Sequence, residues 1–215
     1  MIIETFTVGP LGENAYLVAD EGSRTCVLID PGAEAERLIG AVERSGAALE
    51  AIWLTHAHFD HIGAIAGVVR RWSVPVLLHP LDEPLYRKGS AQAAYYGIPF
   101  EQPPDPDGPL AEGDVLHVGS LAFDVWHAPG HAPGHVVIQG HGVAFVGDCL
   151  FAGSIGRTDL PLSDPADLQR TLARLTTLSD VTRVLSGHGP ATDIATERRT
   201  NPFLNGSALV TGSSR

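Results

Sequence analysis

A mixed α/β (α+β) fold is predicted, with two β-rich halves packed sheet on sheet and helices on the outer faces. Three observations lead there. β-rich segments followed by helical spacing occur twice along the chain. Polar residues gather where the strand-like segments end. No short internal period is present, which sets repeat architectures aside. At 215 residues the chain can bury a sizeable core, and it reads as one domain over 1–215 with a tail that frays from about residue 205.

The first half opens on an alternating strand at 2–8, a turn at Gly9-Pro10-Leu11-Gly12 and a second strand from Asn14 to Ala19. Thr25 to Asp30 forms a third, stopped by Pro31-Gly32, so Asp30 stands at a strand terminus. There it has two readings: a partner that fixes a metal-ligating imidazole, or a cap on the following turn. Ala35, Leu38, Ile39 and Val42 give helical spacing from Glu34 to Ser45, with Gly46 as the C′ residue. A strand at 50–54 leads into a helix from His61 to Trp72, whose buried side carries Ile62, Ile65, Val68 and Val69. Val74 to His79 is a short strand ending at a histidine with no metal role. Leu81 to Pro109 holds one or two short helices with Tyr86, Tyr95 and Tyr96, then a stretch rich in Pro and acidic residues. It reads either as a wall beside a site or as a surface connector whose aromatics pack on the core.

In the second half, Val115 to Val118 and Leu121 to Trp126 form a hairpin across Gly119-Ser120. Strands follow at Val136 to Gln139, Gly142 to Val146 and Val181 to Leu185. Between the last two, an irregular Gly-rich loop precedes a helix over 164–178, with Ser163 or Asp164 as N-cap and Pro165 at N1. Asp193 to Thr200 is a short final helix.

Composition narrows the function. The hydrophobic share of 44% with 18% charged residues is ordinary for a soluble globular domain. A net charge of −11, with no Lys/Arg run, Arg70-Arg71 and Arg198-Arg199 being no more than pairs, argues against a nucleic-acid partner. No apolar run approaches a membrane span, and the start MIIETFTVGP lacks the basic and apolar regions of a signal peptide. Cys26 and Cys149 lie far apart, give no disulfide framework and fit a reducing cytoplasm.

Ten histidines is a high count for this length. The chain is organised around Thr55-His56-Ala57-His58-Phe59-Asp60-His61, directly after the apolar run Ala51-Ile52-Trp53-Leu54. Alternate side chains of an extended segment share a side, so His56 and His58 address one point. Asp60 and His61, from the turn into the next helix, address a second. Imidazole and carboxylate without thiolate suit zinc, and also iron or manganese. A solvated polar turn accounts for a lone histidine after a strand, not for four donors at this spacing.

Three later strand ends supply donors of matching type, His131, Asp148 and His188, each beside a glycine that lets backbone approach closely. His56, His58 and His131 make one group; Asp60, His61 and His188 make another; Asp148, with two oxygens, could bridge them. Two divalent cations about 3.5–4 Å apart would polarise a carbonyl and hold a water as hydroxide near neutral pH. His135 reads as a supporting or structural residue, not a ligand. Strand alternation turns Cys149 away from the metals, as a small buried residue. Arg157 and Asp159 pair and pin their loop, although Arg157 could instead hold a substrate carboxylate. His79, His117, His127 and His141 have no matching partners.

In order and type, Thr55 to Gly63, Pro129-Gly130-His131, Gly147-Asp148 and Ser186-Gly187-His188-Gly189 resemble the metallo-β-lactamase superfamily, from one end of the chain to the other. Pro129-Gly130-His131-Ala132-Pro133-Gly134-His135 and Gly147-Asp148-Cys149-Leu150-Phe151 look most like glyoxalase II, the hydroxyacylglutathione hydrolases. Gly153-Ser154-Ile155-Gly156-Arg157-Thr158-Asp159-Leu160-Pro161 and Asn201-Pro202-Phe203-Leu204 are similar to its short, single-domain subgroup. The resemblance implies an αββα sandwich with a metal site at one edge. It implies that His56, His58, His131 and Asp148 bind the first metal, and Asp60, His61, His188 and Asp148 the second. Longer glyoxalase II enzymes carry a C-terminal helical domain that holds glutathione; this chain ends soon after His188, so that recognition is missing or rebuilt elsewhere.

The activity expected is hydrolysis of a small-molecule thioester, S-lactoylglutathione or a related acyl thioester, with a metal-bound hydroxide as nucleophile. Asp60 would orient it as well as bind metal. A thiolate leaves readily, so no dedicated general acid is required. The main rival is a persulfide dioxygenase with one iron on His56, His131 and Asp148. A lactonase or β-lactamase, and a non-enzymatic metal-binding module, carry less weight. The last would be expected to lack a ligand, and all seven are present.

Overall fold

In the computed structural model, which describes residues 1–210, β-branched and aromatic residues build six strands in the first half. They are β1 (Ile2–Val8), β2 (Glu13–Asp20), β3 (Thr25–Ile29), β4 (Ala48–Trp53), β5 (Val76–Leu78) and β6 (Gly108–Pro109), hydrogen-bonded in that order. β1 to β3 are antiparallel neighbours, and β3 to β6 run parallel. Parallel neighbours need crossovers. These are α1 (Ala35–Ser45) before β4, then α2 (Phe59–Ile62) and α3 (Ile65–Arg71) before β5. A 3₁₀ turn at Pro80–Asp82, α4 (Glu83–Tyr86) and α5 (Gly89–Tyr95) lie between β5 and β6.

The second half adds β7 (Val115–Val118), β8 (Leu121–His127), β9 (Val136–Gly140) and β10 (Val143–Gly147), then a small hairpin of β11 (Leu150–Phe151) and β12 (Ser154–Ile155). After α6 (Pro165–Leu175) come β13 (Arg183–Ser186), β14 (Thr192–Asp193) and α7 (Ile194–Thr200). The sheet order is β14-β13-β10-β9-β8-β7, with only β10 and β13 parallel and α6 as their crossover.

Strand alternation sends neighbouring side chains to opposite faces and so makes three apolar layers. Tyr16, Val18, Ile29 and Trp53 of the first sheet meet Phe123, Val125, Ile138 and Phe145 of the second. Leu17, Leu28 and Ile52 turn outward onto Leu38 and Val42 of α1 and Ile65 and Val68 of α3. Val137, Ala144 and Val184 turn outward onto Leu168 and Leu172 of α6 and Ile194 of α7. Helices cover both outer faces, so the architecture is the expected αββα sandwich. Coverage on both faces is also why β2 is buried along its whole length.

Local differences from the sequence reading have physical causes. The helix expected over 61–72 breaks at Gly63-Ala64 into α2 and α3. A Cβ on Gly63 would stand 2.4 Å from the Gly32 carbonyl oxygen, and Ala64 N donates to Pro31 O at 2.9 Å. The chain bends there to bind the loop after β3. Val181 is 84% exposed, so the last long strand begins two residues later than expected. The N-cap of α6 is Asp164, whose carboxylate accepts from Ala166 N and Asp167 N, with Pro165 following. In the segment with two readings, Tyr86 is buried and donates to Pro104 O, as a connector packed on the core would. Tyr96, by contrast, stacks on Phe59 at 5.3 Å, next to Asp60, as a wall would. In the tail expected to fray, Asn205 N and Ala208 N donate to Asn201 O and Pro202 O. Residues 211–215 lie outside the described residues. Among the described residues no helix is long and apolar enough to cross a membrane.

Candidate metal centre

The C-terminal ends of β4, β10 and β13 and the loop after β8 meet at one edge of the sandwich, and all seven sequence-predicted donors converge there. His58 Nδ1 and His131 Nε2 lie 2.8 Å apart, and their donor atoms form a compact group with one from His56. Asp60, His61 and His188 form a second, with Asp60 Oδ2 3.3 Å from His188 Nε2 and 4.0 Å from His61 Nε2. The Asp148 carboxylate lies between them, 3.5 Å from His131 Nε2, 3.5 Å from His61 Nε2 and 3.6 Å from His188 Nε2.

Four of the five donor imidazoles are aimed by what their other nitrogen touches. His131 Nδ1 donates to Arg157 O at 2.9 Å, and His188 Nδ1 to Leu11 O at 3.2 Å. His61 Nδ1 donates to Asp30 Oδ2 at 3.1 Å, and His56 Nδ1 lies 3.1 Å from Thr55 Oγ1. These bonds leave the four Nε2 lone pairs facing inward. Asp30 also accepts from Thr55 N at 2.7 Å and Thr55 Oγ1 at 2.5 Å. Of its two sequence readings, the contact that fixes an imidazole is the one the fold makes, with His61. His135 stacks on His56 at 4.8 Å, and its Nε2 accepts from Asp148 N at 3.1 Å, a supporting position outside the donor groups.

Glycine at 187 is a steric requirement. A Cβ there would stand 2.2 Å from Asp148 Oδ1 and 2.6 Å from His61 Cε1. The loop bearing His188 is held by β2: Asn14 Nδ2 donates to Ser186 O and Gly189 O, and the Tyr16 hydroxyl donates to Ser186 O at 2.6 Å.

The electrostatics are those of a site that needs positive charge. Burial pushes the His58 imidazole down to about 3 and depresses His56 and His131 as well, keeping them neutral as ligands must be. Although burial opposes its charge, Asp148 is held well below the usual carboxylate range, first by His61 and also by His188. Asp60 is likewise held low against burial by His61 and His188. His56 Nε2, His61 Nε2 and Asp148 Oδ1 are buried without a hydrogen-bond partner. Orphaned lone pairs at such depth cost on the order of 1–3 kcal/mol each, and the last two lie 3.5 Å apart. Imidazole and carboxylate donors with lone pairs to spare fit a pair of divalent cations.

Other sequence readings are placed as follows. Cys149 is a small buried residue, with Sγ 3.4 Å from His135 Nδ1, and burial pushes its thiol up. Arg157 and Asp159 form a two-pronged pair at 2.6 and 2.8 Å. His79 and His127 stack face to face at 4.4 Å, apart from the donor groups, and His141 Nε2 accepts from Ala122 N. Sequence reasoning missed Glu13 and Asp82. Glu13 is buried with both oxygens unpartnered, 3.8 Å from His61 Nδ1. Asp82 is buried against the backbone of both first-group loops. Nothing local marks either one.

The sequence pattern of the metallo-beta-lactamase superfamily matches residues 8–188. The hydroxyacylglutathione hydrolase GloC of Haemophilus influenzae is 38% identical over 210 residues, covering 95% of this chain and 99% of that one. The crystal structure of TTHA1623 in a di-iron-bound form is similar with a TM-score of 0.88 and 48% identity, over 94% of this chain and 100% of that one. ETHE1 from Myxococcus xanthus matches with a TM-score of 0.79 and 29% identity, over 96% and 85%. The matched residues run from the end of β1 to His188 and contain every donor of both groups, so the chain belongs to the metallo-beta-lactamase superfamily.

Proposed function

We propose that the chain is a metal-dependent thioester hydrolase acting on S-lactoylglutathione or a related acyl-glutathione, with zinc as the bound pair. The observation that carries this reading is the Asp148 carboxylate, 3.5–3.6 Å from imidazoles of both donor groups, the place of a bridging ligand. Near full-length similarity to a hydroxyacylglutathione hydrolase supports the substrate class. His56, His58, His131 and Asp148 would hold one cation, and Asp60, His61, His188 and Asp148 the other. Such a pair, when bound, polarises a thioester carbonyl and lowers the pKa of water beside it.

The chain's own residues supply the rest. Asp60, whose Oδ2 lies 3.3 Å from His188 Nε2 on the open side, accepts a hydrogen bond from the attacking water and orients it. The buried imidazoles exclude solvent from the inner side, so attack comes from the open face where His188 is partly exposed. The thiolate departs without a proton from the protein. Two separate buried thiols, Cys26 and Cys149, support a reducing compartment such as the cytoplasm.

The test follows loss of the thioester absorbance of S-lactoylglutathione under anaerobic conditions, with metal analysis of the same sample. Cleavage with two equivalents of metal is expected. The likeness to ETHE1 favours a second reading, a persulfide dioxygenase with one iron on His56, His131 and Asp148. One equivalent of iron, oxygen uptake with glutathione persulfide and no thioester cleavage would replace the first reading with the second.

A further inference from the structure

The loop carrying His56 and His58 and the loop carrying His131 come from different sheets, yet their imidazoles meet at 2.8 Å. A drift of an ångström between the loops would open the group. Asp82 stands where they can be held together. It ends the 3₁₀ turn after β5, is fully buried, and its own N–H donates to His79 O at 3.0 Å. One carboxylate oxygen accepts from Ala57 N at 2.9 Å, between His56 and His58. The other accepts from Gly134 N at 2.5 Å, three residues after His131. The approach is close enough to demand glycine: a Cβ on Gly134 would stand 2.6 Å from Asp82 N and 2.9 Å from Asp82 Oδ1.

We propose that Asp82 is a positioning residue, a carboxylate staple that sets the His56–His58 loop against the His131 loop and thereby shapes the first cation group.

The choice of an ionisable side chain is informative. A carboxylate removed from water is costly unless well paired, and this one faces two backbone N–H donors. Burial pushes its carboxyl up to about 6. Stability alone does not favour such a group. Two outward-facing acceptors on one short side chain are nevertheless what two N–H groups from separate loops require, and an amide offers one acceptor with two donors. The cost therefore falls on stability and the benefit on ligand geometry.

The inference rests on reading the two donor groups as a cation centre. Its test titrates zinc into metal-free wild type, Asp82→Asn, Gly134→Ala and Asp20→Asn against a chromophoric chelator. Asp20 is a control outside the site, a part-buried carboxylate that likewise accepts from two backbone N–H groups, Gly22 N and Ser120 N, at the far end of β2. Wild type is expected to bind two equivalents. Asp82→Asn and Gly134→Ala should each lose roughly 10- to 100-fold in affinity for one equivalent. Metal-free Asp82→Asn should melt no lower than wild type, whereas Asp20→Asn should lose stability and keep both affinities. Unchanged zinc affinity in Asp82→Asn, or a loss no larger than that of Asp20→Asn, overturns the staple. So does an Asp82→Asn chain that fails to fold, because the residue would then serve stability. A wild-type chain that takes up no zinc overturns the cation centre itself, a separate outcome.

Discussion

At the scale of single residues, the site is a set of lone pairs aimed by hydrogen bonds on their far sides. His61 leans on Asp30, His131 on Arg157 O and His188 on Leu11 O, while Asp148 faces all three. Asp148→Ala should therefore abolish tight binding of both metals and turnover with them; retention of two equivalents and full activity would refute the bridging assignment. The seven donors were legible in the sequence because His56, His58, Asp60 and His61 fall within six positions and the rest end strands beside glycine. The residues behind them were not. Asp30 had two readings until the contact with His61 chose one, and the partners of Asp82 are backbone atoms 25 and 52 residues away. Asp82 also makes a pH prediction. Its carboxyl sits at about 6 when folded and near 3.8 otherwise, so the folded state binds the extra proton in that window. Stability of the metal-free protein should fall as pH rises through it, by up to about 3 kcal/mol from this group. Urea unfolding of wild type and Asp82→Asn at pH 4 and pH 7 measures it: the variant should gain on wild type as pH rises, and a constant difference would contradict the assignment.

At the scale of elements, each donor is delivered by a strand end or by a helix start braced on a neighbour. The loop of His131 is pinned by α6: Ser163 Oγ donates to His131 O at 3.0 Å and Asp164 N donates to Gly130 O at 2.8 Å. The N-cap of α6 was visible as Ser163-Asp164-Pro165, and the fold uses Asp164. Asp164→Ala should cost about 1 kcal/mol of stability, read as a lower urea midpoint at unchanged slope. An effect within error would mean the cap bonds contribute nothing. The break between α2 and α3 was not legible. It arises from Gly63 and Ala64 meeting the loop at Pro31 and Gly32, a contact that hydrophobic spacing along 61–72 does not encode. The two-residue strands β6, β11, β12 and β14 are too short to leave a periodic signature.

At the scale of the whole molecule, two sheets buried on both faces create three apolar layers, and the site lies where both sheets end. The layered fold class could be read from β-rich segments alternating with helical spacing. The choice between wall and connector for 81–109 could not, because that segment has weak periodicity and its form is set by packing: Tyr86 and Phe100 lie in the layer under α1 and α3, and Tyr96 stacks on Phe59. The central layer also serves the site. Phe145 packs edge-on against Tyr16 at 5.2 Å, and Tyr16 holds the loop of His188. Phe145→Ala should destabilise the fold by about 3–5 kcal/mol, measured by chemical unfolding, and a loss below ~1 kcal/mol would mean the two sheets do not share that core.

The most direct measurement of the central claim is anomalous scattering from crystals grown with zinc. Two peaks are expected, one among His56, His58, His131 and Asp148, the other among Asp60, His61, His188 and Asp148. Peaks elsewhere, or none at this edge of the sandwich, would contradict a paired cation centre built from donors so distant in the chain.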